Sequence, residues 1–257
     1  MSSSAQTTPG AGLFAKHHIL ERSPILLVIG ILIMVAIGGL VEIVPLFYLK
    51  STIETVDGVR PYTPLEVAGR NIYIREGCYL CHSQMIRSLR DEVERYGHYS
   101  LAAESKYDRP FLWGSERQGP DLARVGGKYS DTWHLDHLND PRSVVPASIM
   151  PSYHWLAETP LDLDHIGEEL KVQAILGVPY SKEMIDNAIA DARTQGSDDP
   201  TGGPALLARY PKANIRAFTT TGVATGRLTE ADALIAYLQS LGTAVDFKLY
   251  DNKANIR

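Results

Sequence analysis

Cys78 and Cys81 are the only cysteines in 257 residues, and His82 follows the second directly. Cys-x-x-Cys-His is the spacing at which a haem is attached covalently to a polypeptide. Two thiols three positions apart on one helical turn can each form a thioether to a porphyrin vinyl group. The next residue then brings an imidazole under the iron. Two other chemistries use part of the pattern. A Cys-x-x-Cys pair serves thiol–disulfide exchange. It also supplies half of a zinc site, but zinc takes four ligands and no further cysteine exists to complete a thiolate set. The remaining alternative is a chance match, with His82 an ordinary surface residue.

An iron held by His82 takes a second axial ligand, and the chain has five methionines and eight histidines. Met1 and Met34 fall in the N-terminal tail and in a long apolar run. Met85, three residues past His82, is tied to the proximal side. Met184 sits in a helix-like stretch, Lys182 to Arg193, as ordinary packing. Met150 stands in Val144-Val145-Pro146-Ala147-Ser148-Ile149-Met150-Pro151, an irregular loop held by two prolines, stiff enough to present a sulfur at a fixed distance. His134, His137 and His154 keep a bis-histidine iron open. A Met/His pair raises the reduction potential relative to two imidazoles.

The elements that must position these groups begin with an anchor. Ile25 to Val41 is unbroken apolar residues and glycine, and beyond Glu42 the run continues to Leu49. At 1.5 Å per residue, 25 residues make a helix of about 37 Å, enough for a hydrocarbon core of about 30 Å. The run ends in Phe47, Tyr48 and Lys50 rather than in small residues before a cut site, so it reads as an uncleaved signal-anchor with an aromatic and basic interface. Haem c attachment places the C-terminal bulk outside the cytoplasm, with the N-terminus cytoplasmic. Glu42 either lies near the interface and reaches for headgroups or water, or faces another membrane subunit, and Pro45 with Gly38-Gly39 favours close contact with another helix. The expected organisation is a tail over 1–23, an anchor over 24–50, a linker over 51–62, a helical domain over 63–245 and a tail over 246–257. A net charge of -5 with mixed signs argues against nucleic-acid binding.

Thr63-Pro64-Leu65-Glu66 predicts a helix start with a capping box and proline at the first helical position. That helix runs through Gly69, Ile72 and Tyr73 into the cysteine motif. A second capping box, Thr229 to Asp232, opens a helix with Leu234, Tyr237, Leu238 and Leu241 at three- and four-residue spacing, stopped by Gly242. Ser130 to Leu138 predicts a short helix ended by Asn139-Asp140-Pro141, in which Trp133 and Leu138 cover the haem edge and His134 and His137 face solvent.

Glycine and tyrosine before the motif, with Leu-x-x-Tyr-Leu in the last helix, resemble class I cytochromes c, where these two helices cross. The resemblance implies a mainly α fold: one N-terminal transmembrane helix followed by a class I cytochrome c-like helical domain. It also assigns roles to two loops. Gly119-Pro120-Asp121-Leu122 matches the loop whose carbonyl accepts from the proximal histidine, so Pro120 becomes the partner of His82. Met150-Pro151 matches the distal-ligand loop.

A closer likeness runs through the stretch 70–87, Glu94-Arg95-Tyr96-Gly97-His98-Tyr99-Ser100, Phe111-Leu112-Trp113-Gly114-Ser115, Gly119 to Gly127 and Met150-Pro151-Ser152-Tyr153. These resemble the membrane-anchored monohaem cytochrome c subunit (subunit II, CcoO/FixO) of cbb3-type cytochrome c oxidases. His154 departs from the pattern where proline is expected, and residues 196–227 read as an insertion, in its plainest form a flexible surface loop. The resemblance implies one covalent haem c in a bacterial inner membrane, with the haem domain periplasmic. It implies electrons arriving from a dihaem cytochrome c subunit and leaving to haem b of a catalytic haem–copper subunit. This chain would be the non-catalytic electron carrier of the oxidase. Arg87 and Arg90 are candidates for propionate or subunit contacts, and a calcium ion at the subunit interface is implied, with Ser88 or a neighbour contributing. A free-standing anchored shuttle, a haem sensor and an anchored thiol oxidoreductase are the competing functions.

Overall fold

The computed structural model describes residues 19, 22–48, 56–114, 116–198, 200–219, 222 and 226–247. Most of the N-terminal tail, Lys50 of the expected interface anchor, the first part of the linker and nearly all of the C-terminal tail lie outside them. The chain divides into two units, residues 1–54 and 55–257.

The described part of the first unit is mainly a long helix, α1 (Pro24–Tyr48), whose segment Pro24–Leu46 is long and apolar enough to cross a membrane. Its leucines, isoleucines and valines stand exposed all round, Ile25 and Met34 each at 71%. A helix apolar on every side has no water-facing stripe, which is the composition of a lipid-facing span.

The regular structure of the second unit is helical, and no strand occurs among the described residues. Its centre is the crossing of α2 (Pro64–Arg75) with a late helix, Glu230–Ser240. Thr63 Oγ1 accepts from the Glu66 amide at 3.1 Å, while the Glu66 carboxylate accepts from the Thr63 amide at 2.9 Å. That box satisfies two amides that the first helical turn leaves without partners. Arg60 adds a two-armed ion pair to Glu66 at 2.7 and 2.8 Å, so this buried carboxylate is fully engaged. Thr229 and Asp232 form the second box.

Gly69 is where α2 meets that late helix. A Cβ at this position would fall inside the Ala233 carbonyl oxygen, so only hydrogen lets the backbones approach. Tyr237 lies between Tyr62 and Tyr73, with ring centroids 5.6 and 5.7 Å apart in edge-to-face arrangement. Leu65, Ile72, Leu234 and Ile235 close the core around them, each 4% exposed or less. Two tyrosine hydroxyls carry this core to the cysteine motif. Tyr73 donates to the His82 carbonyl at 3.1 Å, and Tyr237 donates to Gln84 Oε1 at 3.0 Å.

Between the crossing helices come α3 (Arg90–Tyr96), α4 (Asp131–Asn139), α5 (Pro141–Val144), α6 (Ile166–Ile175), α7 (Lys182–Asp186), α8 (Ala188–Gln195) and α9 (Gly203–Arg209); Glu230–Ser240 is α10. The single helix expected from Lys182 to Arg193 is two. Asn187 breaks it, its side-chain amide donating to the Glu183 carbonyl at 2.8 Å, a local bond that competes with the helical ladder. The segment 196–227 is more than a plain surface loop. It contributes α9, whose Leu206 is fully buried, followed by Tyr210 at 0% and Phe218 at 2% exposure. Arg209 closes on Asp191, and Arg216 binds Asp131 through two bonds. The signal was present in Leu206 and Tyr210, spaced by four, with Pro204 at the helix start.

Candidate functional site

α2 ends at Arg75, and Gly77 at φ +72° turns the chain into a short 3-10 turn, Cys78–Leu80. The left-handed backbone there is cheap only for glycine. The His82 amide donates to the Cys78 carbonyl at 3.0 Å, which sets the imidazole just past the two thiols. Opposite lies the 118–122 loop. Gly119 N donates to the Cys81 carbonyl at 3.0 Å, and Leu122 N donates to the Ser83 carbonyl at 2.9 Å. Between those bonds the Pro120 carbonyl stands 2.8 Å from His82 Nδ1. A carbonyl can only accept, so Nδ1 carries the proton and Nε2 keeps its lone pair. A Cβ on Gly119 would overlap the His82 ring, so the loop is moulded to that imidazole.

Cys78 is half-buried and Cys81 exposed, and they form no disulfide. Burial, reinforced by Glu76, pushes the Cys78 thiol up to about 12. Thiol exchange needs a thiolate near neutral pH, so this environment opposes Cys78 as the attacking group of an oxidoreductase.

Met150 is half-buried and packs against the core. Its loop is fastened to the end of α4: Tyr153 N to the Leu138 carbonyl at 2.7 Å, and Ser152 Oγ to the Asn139 carbonyl at 2.5 Å. Met85 lies elsewhere, its amide donating to Asp121 Oδ2 at 3.1 Å on the Pro120 side. Met184 caps α7. His154 is exposed and stands 3.2 Å from Ser152 Oγ.

The expectation that His134 and His137 face solvent is corrected. His134 shares the inner face of α4 with Leu138, and the two are 4% and 5% exposed. Residues four apart fall on one side of a helix, so the Leu138 side carries His134 inward with it. Burial lowers His134 to about 4, leaving it neutral. His137 is half-buried. Its Nδ1 and the His134 Nε2 are buried with no hydrogen-bond partner among the described residues.

Arg87 and Arg90 differ in setting. Arg90 pairs with Glu94 at 2.7 Å with both groups open to water, a contact worth under about 1 kcal/mol. Arg87 closes on Glu92, which is 4% exposed. Arg117, which sequence reasoning passed over, ties this pair to the Pro120 loop: it donates to Glu92 at 2.9 Å, to Asp121 at 3.2 Å and to the Met85 carbonyl at 2.7 Å. A cleft of about 360 Å³ opens between Arg87, Arg95, Arg117 and the 118–120 turn. The Arg117 bond, chiefly, holds the Glu92 carboxyl down at about 2. A depressed carboxyl stabilises the fold above the ordinary glutamate range, and that contribution fades as pH falls from 4.5 toward about 2. Glu92→Gln is therefore expected to cost about 2 kcal/mol at pH 7 and nothing near pH 2. Unfolding of detergent-solubilised wild type and variant across that range checks this; a pH-independent difference contradicts it.

The donor set fits an iron porphyrin: two thiols outside any disulfide, an imidazole whose Nδ1 is pinned by the Pro120 carbonyl, and a thioether on a prolyl loop. No curated protein matches the chain at a significant level. A family model described as cytochrome C oxidase, mono-heme subunit/FixO matches residues 17–245. The chain belongs to that family and is a mono-haem subunit of a cytochrome c oxidase.

Proposed function

We propose that this subunit carries electrons through one covalently attached haem c, from a dihaem cytochrome c subunit to haem b of the catalytic haem–copper subunit, where oxygen is reduced. The observation that supports this best is the Pro120 carbonyl at 2.8 Å from His82 Nδ1, immediately after Cys-x-x-Cys. Cys78 and Cys81 would hold the haem through thioethers, each S–H adding across one vinyl group with sulfur on one carbon and hydrogen on its neighbour. His82 Nε2 and the Met150 sulfur would be the residues that hold its iron, and the group would supply one-electron transfer. The protein's part is to hold that centre still. Pro120 keeps the proton on Nδ1 and so strengthens Nε2 as a donor, Gly119 gives the ring its seat, and Leu138 and Tyr153 help keep water out.

The same reading places residues 24–50 in the bacterial inner membrane with the N-terminus cytoplasmic. The linker 51–62 then leads to a periplasmic domain over 63–245, with tails over 1–23 and 246–257. The calcium ion at the subunit interface belongs to the resemblance. Arg90, loosely paired in water, is free to exchange Glu94 for a propionate or an acidic group on the catalytic subunit, and Arg87 borders the adjoining cleft.

Met150→Ala in the purified oxidase tests the function. The haem stays attached, but the iron opens to carbon monoxide and the rate of haem b reduction falls at least about tenfold. An unchanged rate would remove Met150, and with it the carrier role as drawn. An Arg87→Ala/Arg90→Ala arm of the same experiment is expected to lower recovery of the catalytic subunit; full recovery dismisses those contacts.

A further inference from the structure

Arg216, in the segment 196–227, joins two helices that serve different parts of the candidate site. Its amide donates to the Gln195 carbonyl at 3.0 Å, which closes the segment back on the end of α8. Gln195 is fully buried and bonded into the α2 capping box: Thr63 Oγ1 donates to its Oε1, and its Nε2 donates to Glu66 at 3.3 Å. The Arg216 backbone is thereby tied to the start of the helix that runs into Cys78.

The side chain goes to α4. Nε and Nη2 donate to the two carboxylate oxygens of Asp131 at 2.5 and 2.9 Å, and the guanidinium lies 5.0 Å from the centroid of the buried Phe218 ring. A planar fork on a carboxylate fixes angle as well as distance, which a point charge does not. Asp131 is the first residue of α4, and its Oδ1 also accepts from Gln239 Nε2 of α10 at 2.7 Å. Gln239 is itself held, its Oε1 accepting from the Gly127 amide at 2.8 Å. One carboxylate therefore fastens the start of α4 both to α10 and to the segment 196–227.

α4 is nine residues long, a rod of about 13 Å. Its far end carries the Met150 loop through the Leu138 and Asn139 carbonyls. A helix this short, gripped at its first residue, cannot turn or slide there without moving the carbonyls of its last turn. We propose that Arg216 is a positioning residue: by holding Asp131 it sets α4, and through α4 it sets the Met150 loop relative to His82. The segment 196–227 thus takes part in distal ligation. This rests on Met150 being the distal ligand.

Carbon monoxide titration of the ferrous full-length holoprotein tests the proposal on Arg216→Leu and Arg216→Lys, with the red thioether-to-iron band of the ferric form and the melting temperature recorded alongside. Carbon monoxide binds only where the sulfur has left the iron, so its apparent affinity follows that open fraction. In the leucine variant, kept well below its melting temperature, the apparent dissociation constant is expected to fall about three- to tenfold and the band to weaken. Lysine keeps one charged contact to Asp131 and recovers at least half of the change. Unchanged carbon monoxide binding in the leucine variant overturns the proposal even where the melting temperature drops, since the ion pair would then serve stability alone. An equal change in both variants overturns it as well. If leucine prevents folding, Arg216→Gln, with one amide donor left for Asp131, takes its place in the same comparison. A band missing from the native protein sinks the Met150 reading instead, which separates the two failures.

Discussion

A Cys78→Ala/Cys81→Ala double variant is expected to be colourless after denaturation and acid–acetone extraction, while native protein keeps all of its haem on the chain. With no thioether, porphyrin retention falls to whatever His82 and Met150 sustain by coordination alone, and unfolding removes that. Each single variant keeps one thioether and stays coloured, so the double variant isolates the covalent link. The folded domain gives little other reason for this pair of thiols. Cys81 is exposed and Cys78 half-buried, so neither is a core cysteine. The Cys78 thiol, held up at about 12 by burial, is a poor nucleophile toward disulfides. In-gel haem peroxidase staining of membranes checks the result; staining that survives in the double variant contradicts it.

The second large effect comes from the far side of the same motif. Gly69→Ala is expected to destabilise the domain by at least about 3 kcal/mol, lowering its melting temperature by about 6–12 °C. Alanine is intrinsically better than glycine in a helix by about 1 kcal/mol, so a surface site would gain. Here the added methyl meets the Ala233 carbonyl oxygen, a backbone atom that cannot swing aside, and then Tyr237 Cβ. α2 and α10 must separate. Tyr237 then leaves Tyr62 and Tyr73, and its bond to Gln84, two residues past His82, is strained. Loss of haem colour on mild heating should therefore track the melting temperature. Circular dichroism melts of holoprotein in detergent measure it, and a variant as stable as wild type would show that the helices do not cross at this glycine.

Those two sites also mark what sequence can say. Both capping boxes were legible because a cap is a local contract among four residues: Thr63 with Glu66 and Thr229 with Asp232 close on themselves. The crossing at Gly69 was legible because so close an approach leaves few residue types possible. The 118–122 turn was legible beside His82 through a family pattern, since Gly-Pro by itself marks only a turn.

What stayed hidden depended on which side of a helix faces inward. In α4, polar histidines flank apolar Leu135 and Leu138, and periodicity over nine residues gives no firm inner face. The sequence therefore points His134 to solvent, whereas the structure buries it. Arg117 was hidden for another reason. Asp121 lies four residues on, but the other acceptors of Arg117 come from positions 85 and 92, which no local spacing links to it. The segment 196–227 looked like a loop through its glycines and prolines, yet Leu206, Tyr210 and Phe218 fill the core. Composition reports average polarity, whereas a few well-placed apolar residues are enough to fold a segment onto a core.

The most direct measurement is the pyridine haemochrome spectrum of the native subunit, taken in alkali after full denaturation. Pyridine replaces both axial ligands, so the band position reports only how many vinyl groups have become thioethers. Attachment through both Cys78 and Cys81 predicts the band of a porphyrin with both vinyl groups converted, at one haem per chain. A band of one or two intact vinyl groups, or haem that parts from the chain, would contradict it.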